Sequence, residues 1–326
     1  MMAPLRAGES AAPASSDPAI EQQLLDVIVV VGAGGTAEYA TIFEVWAKKW
    51  QQNCERAGLS IRQIGPEPSD QFESTKDELQ SVLAANIGGP TETEKETDFD
   101  TPLWIVLIGH GTWDGRVAKF NLVGPDASGS EFDAWLDPMK RSLVVANCTS
   151  SSAPFINRLS QPGRVVITAT RNGGEHNFAM FGQFLAQAFA SADADLDHDD
   201  EVSAKEAFIR ASIETQRYYD EKGRLASEHA LIDDNADKKG SAAELLQGQA
   251  KVKDGVVDGD FASQFSILVN PDLRPLTTEQ RQKRDRLEAE LQRLKQEFAD
   301  RPKEELREAA IPVLLELASI YAGPSE

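Results

Sequence analysis

Two short apolar runs, residues 103–108 and 143–146, constrain this chain more than any other feature. Each is rich in β-branched residues and bounded by turn-forming or polar ones, so each predicts a buried parallel strand. Residues with chemistry follow both at once: Gly109-His110-Gly111 after the first, Asn147-Cys148 after the second. In an open parallel sheet the carboxyl ends of neighbouring strands share one edge, where ligands bind. The pattern sets an imidazole beside a thiol.

The same alternation extends through the first two thirds of the chain. Residues 26–31 read as a strand ending in Gly32-Ala33-Gly34-Gly35. A helix is expected over 38–57, with Tyr39, Ile42, Phe43, Trp46 and Trp50 on one stripe at helical spacing. Further strands are expected at 59–64 and 164–170, and helices at 75–85, capped by Ser74 or Thr75, and at 178–190. Shorter helices fit 131–136 and 154–159, and 88–100 reads as an exposed loop. Strands alternating with helices imply an α/β fold with a mostly parallel central sheet. Beyond residue 193 the chain is acidic. A helix runs from 203 to about 221, 223–260 reads as a long polar loop, and 261–269 as an edge strand or a segment packed on the sheet. Residues 278–299 and 311–320, divided by Pro302, predict a C-terminal helical hairpin. The expected organisation is a disordered lead-in at 1–23, a main domain at 24–270 and the hairpin at 271–326.

Acids outnumber bases 53 to 33, a net charge of −20 that repels phosphate backbones and argues against a nucleic-acid partner. No run approaches the roughly 20 apolar residues of a membrane span. The Ala/Pro/Ser-rich start lacks an apolar h-region; it fits a disordered segment or the remainder of an export signal, and the compartment stays open. Two cysteines make no disulfide framework. Cys54 falls on the Trp46/Trp50 stripe and reads as core, which leaves Cys148 to explain.

A thiol becomes a nucleophile when its pKa falls or a base takes its proton. Cys148 ends a strand that leads to a helix, whose N-terminal dipole favours a thiolate. His110 is flanked by glycines, and the N–H groups of Gly111 and Cys148 are candidate oxyanion donors. The plain alternative is a small buried hydrophobe and an ordinary Gly-His-Gly turn; pairing at two strand ends favours catalysis.

Ile108-Gly109-His110-Gly111, Ala146-Asn147-Cys148-Thr149-Ser150-Ser151 and Val165-Val166-Ile167-Thr168-Ala169-Thr170-Arg171 together resemble the caspase–hemoglobinase fold. Within it the chain is most similar to legumain-like cysteine peptidases, over roughly residues 24–220. The resemblance implies a caspase-like three-layer sandwich, with His110 as general base, Cys148 as nucleophile and Gly111 as oxyanion donor. It also implies substrate loops at 34–39 and 170–177, with Thr36, Thr170, Arg171 and Glu175 as contacts. The family cleaves peptides or proteins through an acyl-enzyme with no cofactor for catalysis. Two departures stand out. Ala146 occupies the position of an acidic residue in legumains and metacaspases, and the Ser-rich flank 149–152 replaces the usual glycine. Pocket charge is therefore not inherited: Arg171 suits an acidic side chain, Glu175 a basic or amide one. Some members of the fold are inactive, so a scaffold that recruits a protein partner through its C-terminal helices is the alternative.

Two other patterns invite different chemistry. Gly32-Ala33-Gly34-Gly35-Thr36-Ala37 fits a dinucleotide fingerprint between strand and helix, but no acid ends the second strand. Residues 195–206 fit a twelve-residue calcium loop, with Asp195, Asp197 and Asp199 at positions 1, 3 and 5, Glu201 at 7, Ser203 at 9 and Glu206 at 12. Asp200 stands where the sharp turn favours glycine. A structural calcium ion is the expectation. Asp233-Asp234-Asn235-Ala236-Asp237 is a weaker echo and reads as a structural turn. His176, His198 and His229 lack ligand spacing.

Overall fold

The computed structural model describes residues 25–87, 102–197, 199, 201–248, 256–269, 278–298 and 301–321. The expected lead-in, the loop at 88–100, His198 and Asp200 lie outside them.

The first half alternates as expected: β1 (Val27–Val31), α1 (Ala37–Ala57), β2 (Ile61–Ile64), α2 (Thr75–Ala85) and β3 (Leu103–Ile108). Thr36 and Ser74 cap the two helices, each side chain accepting a backbone N–H three residues on. Three very short strands follow, β4 (Gly111–Trp113), β5 (Ala118–Phe120) and β6 (Ala127–Ser128), and form a small antiparallel sheet of their own. Strands this short carry too little alternation to be read from sequence. Next come α3 (Gly129–Leu136), β7 (Leu143–Asn147), α4 (Ile156–Leu159), β8 (Arg164–Thr168) and α5 (Phe181–Ala188). Phe178, expected to open α5, lies outside it.

The acidic part holds β9 (Glu201–Ser203), α6 (Ala204–Glu221), β10 (Leu231–Asp233), α7 (Ala243–Leu246) and β11 (Ser266–Val269). This corrects the long loop expected over 223–260. β10 joins the main sheet as its antiparallel edge, with Leu231 opposite Thr168 and Asp233 opposite Val166. β11 pairs with β9 instead of the main sheet.

The six-stranded sheet runs β10-β8-β7-β3-β1-β2, parallel except for β10. β1, β3, β7 and β8 are buried at every position, which is why they read as continuous apolar runs. Both faces are covered by helices. Phe43, Trp46 and Trp50 of α1 pack on one side with Phe181 of α5 and Phe208 of α6. Leu79 of α2, Phe132 of α3 and Leu159 of α4 pack on the other. Each large side chain so buried contributes about 1.5–3 kcal/mol. The chain ends in α8 (Thr278–Glu297) and α9 (Lys303–Tyr321), joined through Leu287, Leu294, Val313 and Ile320. No helix among the described residues is long and apolar enough to cross a membrane.

Candidate functional site

From β1 the chain moves outward to β2 and returns on the other side as β3. The loops leaving β1 and β3 therefore diverge, and such a switch point opens a crevice at the carboxyl edge. His110 stands there, its Nε2 3.2 Å from the carbonyl oxygen of Gly34 in the loop after β1. Its ring meets Tyr39 at 4.9 Å, Phe43 at 5.2 Å and Phe178 at 6.0 Å between centroids. Cys148 follows β7 directly and packs in the same apolar layer, between the sheet and α1 and α5. Histidine and thiol thus share one face of the sheet at adjacent strand ends. Among the described residues no hydrogen bond joins them.

The surroundings of Cys148 differ from expectation in three ways. The residue is 1% exposed, and a methyl group at Gly182 of α5 would lie only 2.8 Å from its Cβ, so α5 can approach only because position 182 is glycine. Burial first, then the negative charge of Glu228, push the thiol pKa well above its ordinary value, the opposite of activation by a helix dipole. No long helix starts after Cys148: the segment there forms a 3₁₀ turn at Ala153–Phe155 and the four-residue α4. The helix that abuts the thiol is α5, whose N-terminal region is occupied by Glu228, accepting from Met180 N at 2.7 Å and Phe181 N at 3.0 Å. Finally, the Cys148 N–H donates to Leu107 O at 3.0 Å and is not available to an oxyanion in this conformation. The Gly111 N–H faces Ser150 Oγ at 3.4 Å, a long contact that a substrate oxygen could replace.

The four expected substrate contacts separate into two groups. Thr36 is exposed and caps α1. Thr170 is fully buried; its Oγ1 accepts from Ala153 N at 3.0 Å and meets Ser152 Oγ at 3.2 Å, so it braces the turn after Cys148. Arg171 and Glu175 do come together, with Nε 3.2 Å from Oε1. Glu175 also engages His229, through Nδ1 at 2.7 Å and the backbone N–H at 3.2 Å. The next residue, His176, brings its Nδ1 within 3.0 Å of Ser151 Oγ, and Ser151 itself is left-handed at φ 53°. His176 and His229 therefore pin the loop after β8 to its neighbours. His176 was legible as the neighbour of Glu175, whereas His229 arrives from a distant segment and leaves no local signal.

Neither protein-family models nor curated proteins match this chain.

The glycine turn after β1 is closed by the chain's own carbonyls. The N–H groups of Gly32, Ala33 and Thr36 donate to Ile108 O, Asn121 O and Gly34 O.

In the acidic loop, Asp195, Asp197 and Asp199 bring carboxylate oxygens within 4.8 Å of one another. Burial and neighbouring acids raise the pKa of Asp197 and Asp199, as expected where carboxylates crowd. The other two expected ligands are engaged elsewhere. Glu201 pairs with Arg284 of α8 at 2.7 Å, and Arg284 also reaches Asp199 at 3.2 Å. Glu206 completes a capping box with Ser203 and accepts from Leu196 N at 2.7 Å. Arg284 is a feature that sequence reading missed. In the weaker echo, Asp234 Oδ2 accepts from the N–H groups of Gly259, Phe261 and Ala262, which ties this turn to a segment 25 to 28 residues later.

Proposed function

We propose that the chain is a cysteine-type peptidase of caspase-like architecture, held shut in the described conformation. One observation carries this reading: His110 and Cys148 follow adjacent parallel strands on the same sheet face, with His110 in the switch-point crevice. In this mechanism His110 takes the Cys148 proton and Sγ attacks the peptide carbonyl carbon. The C–N bond breaks as His110 returns the proton to the leaving amine, and water then hydrolyses the thioester. Access requires the cover around Phe178 and Gly182 to withdraw from the thiol. Arg171, with 58% of its side chain exposed, is a charged group at this edge placed to meet the substrate. A calcium ion held by Asp195, Asp197 and Asp199 is part of the proposal, as a structural group.

The burial of Cys148 favours a second reading, a non-catalytic scaffold. Ile311, Leu314 and Leu315 of α9 are 45%, 48% and 67% exposed, an apolar face suited to a protein partner. Hydrolysis of an unbiased peptide library separates the two. The peptidase reading expects cleavage by the parent and a loss of about 10³-fold or more in Cys148→Ala and in His110→Ala, with folding unchanged. Cleavage surviving in both variants, or absent from the parent, rejects it.

A further inference from the structure

Asp233, the last residue of β10, is fully buried. Ser160 Oγ donates to its Oδ1 at 2.8 Å, while Oδ2 finds no hydrogen-bond partner among the described residues. A bare buried carboxylate oxygen is costly. A proton does not cure it, because the hydroxyl would become a buried donor without an acceptor. This oxygen belongs to a loop, Asp233 to Glu244, with the spacing of a twelve-residue calcium site. Asp233 stands at position 1, Asn235 at 3, Asp237 at 5, the Lys239 carbonyl at 7, and Glu244, in α7, at 12. Ala236 and Lys238 are left-handed, each at φ 64°. Lys238 thus adopts the backbone for which the motif uses glycine at position 6. Asn235 Oδ1 accepts from Asp237 N at 2.9 Å, Asp237 Oδ1 accepts from Lys239 N at 2.7 Å, and an antiparallel bridge between Ile232 and Ser241 closes the base.

The Asp233 carboxyl is turned into this loop. The Ser160 Oγ that bonds it also accepts the Lys238 N–H at 3.1 Å. Burial raises the pKa of Asp233, and among neighbouring charges Asp237 adds most. The other acids here are committed: Asp234 Oδ2 accepts three backbone N–H groups, and Asp258 takes Asp234 N and Ser241 Oγ. Lys238 and Lys239 are exposed, and neither bonds Oδ2. In the loop at 195–206, Arg284 supplies positive charge to Asp199; at Asp233 Oδ2 no described side chain does so.

We infer that Asp233 Oδ2, Asn235, Asp237 and the Lys239 carbonyl hold a calcium ion. Oxygen ligands from one short loop suit this hard cation, with Glu244 and water completing the shell. β10 runs antiparallel to β8, with Leu231 opposite Thr168 and Asp233 opposite Val166, so the loop lies toward the amino ends of the parallel strands. His110 and Cys148 lie at the other edge. The ion therefore fixes the edge strand and takes no part in the proposed hydrolysis. Asp233 is shielded from solvent, so the ion is retained once bound, and calcium added later meets a filled site.

The test is the calcium content of the full chain, read by plasma mass spectrometry after exhaustive dialysis into calcium-free buffer without chelator. The parent should keep at least about one ion per chain. Asp233→Asn and Asp237→Ala should each hold about one ion per chain fewer, with circular dichroism unchanged. The Asp237 side chain is exposed, so that variant carries the test even if Asp233→Asn fails to fold. Asp195→Ala should keep the ion. A parent without calcium leaves Oδ2 to water and overturns the inference. So does calcium undiminished in Asp237→Ala, or calcium lost from Asp195→Ala alone, which would assign the ion to the other loop.

Discussion

Cys148 is held by two neighbours that come from far along the chain. Gly182 lets α5 approach the thiol, and Glu228 adds a negative charge beside it. Neither is adjacent to Cys148 in sequence, so the strand end was legible and its closure was not. The pattern of apolar run followed by a reactive residue placed His110 and Cys148 just beyond strand ends, where the structure has them. It could not show which way the thiol leans, because that depends on helices packed over the strand end. The charge on Glu228 has a measurable consequence. Glu228→Gln removes the charge and keeps one of the two oxygens that accept the Met180 and Phe181 N–H groups. The apparent pKa of Cys148 alkylation should then fall by about one unit or less, the size expected for one charge in a partly screened interior. An unmoved midpoint would assign the raised pKa to burial alone.

At the scale of elements, legibility followed length. The long runs that became β1, β3, β7 and β8 were readable because parallel strands buried on both faces need continuous apolar sequence. The short strands β4, β5, β6 and β10 were not, since two or three residues offer no period. β10 is held by polar contacts that no hydropathy pattern reveals. Asp258 accepts from Asp234 N at 3.0 Å and from Ser241 Oγ at 2.6 Å, and it is 4% exposed. Burial, then the nearby carboxylates of Asp234 and Asp233, raise its pKa toward neutrality. The folded state thus binds a proton more tightly than the unfolded one. Its contribution to stability is complete below the unfolded pKa near 3.8 and is lost as pH rises toward neutrality. Melting temperatures should show this fall, at most about 1.4 kcal/mol per pH unit, and Asp258→Asn should flatten it. A steeper fall in Asp258→Asn would contradict the assignment.

For the whole molecule, the acidic loop joins the main domain to the C-terminal hairpin. Arg284 is 3% exposed and spans from α8 to Glu201 and Asp199, a buried pairing whose single-sided removal is costly. The sequence showed the loop's carboxylate spacing but not this guanidinium, which enters from more than eighty residues later. Calcium at Asp195, Asp197 and Asp199 would add a second source of positive charge at the same junction. Saturating calcium should therefore stabilise the parent against heat, by about 2.7 kcal/mol at a hundredfold excess over Kd, and leave Asp195→Ala unshifted. An equal shift in both proteins would remove this loop as the site.

The account depends on Cys148 being a nucleophile served by His110, and Cys54 provides an internal reference. Cys54 is fully buried in α1, and burial, with the charges of Asp26 and Glu55, pushes its thiol up to about 12. Alkylation by iodoacetamide, followed by intact mass and peptide mapping under native conditions, compares the two thiols in one sample. A site that opens to admit substrate predicts Cys148 modified at least about tenfold faster than Cys54, with that advantage abolished in His110→Ala. Equal, slow modification of both thiols, unchanged by His110→Ala, would contradict it.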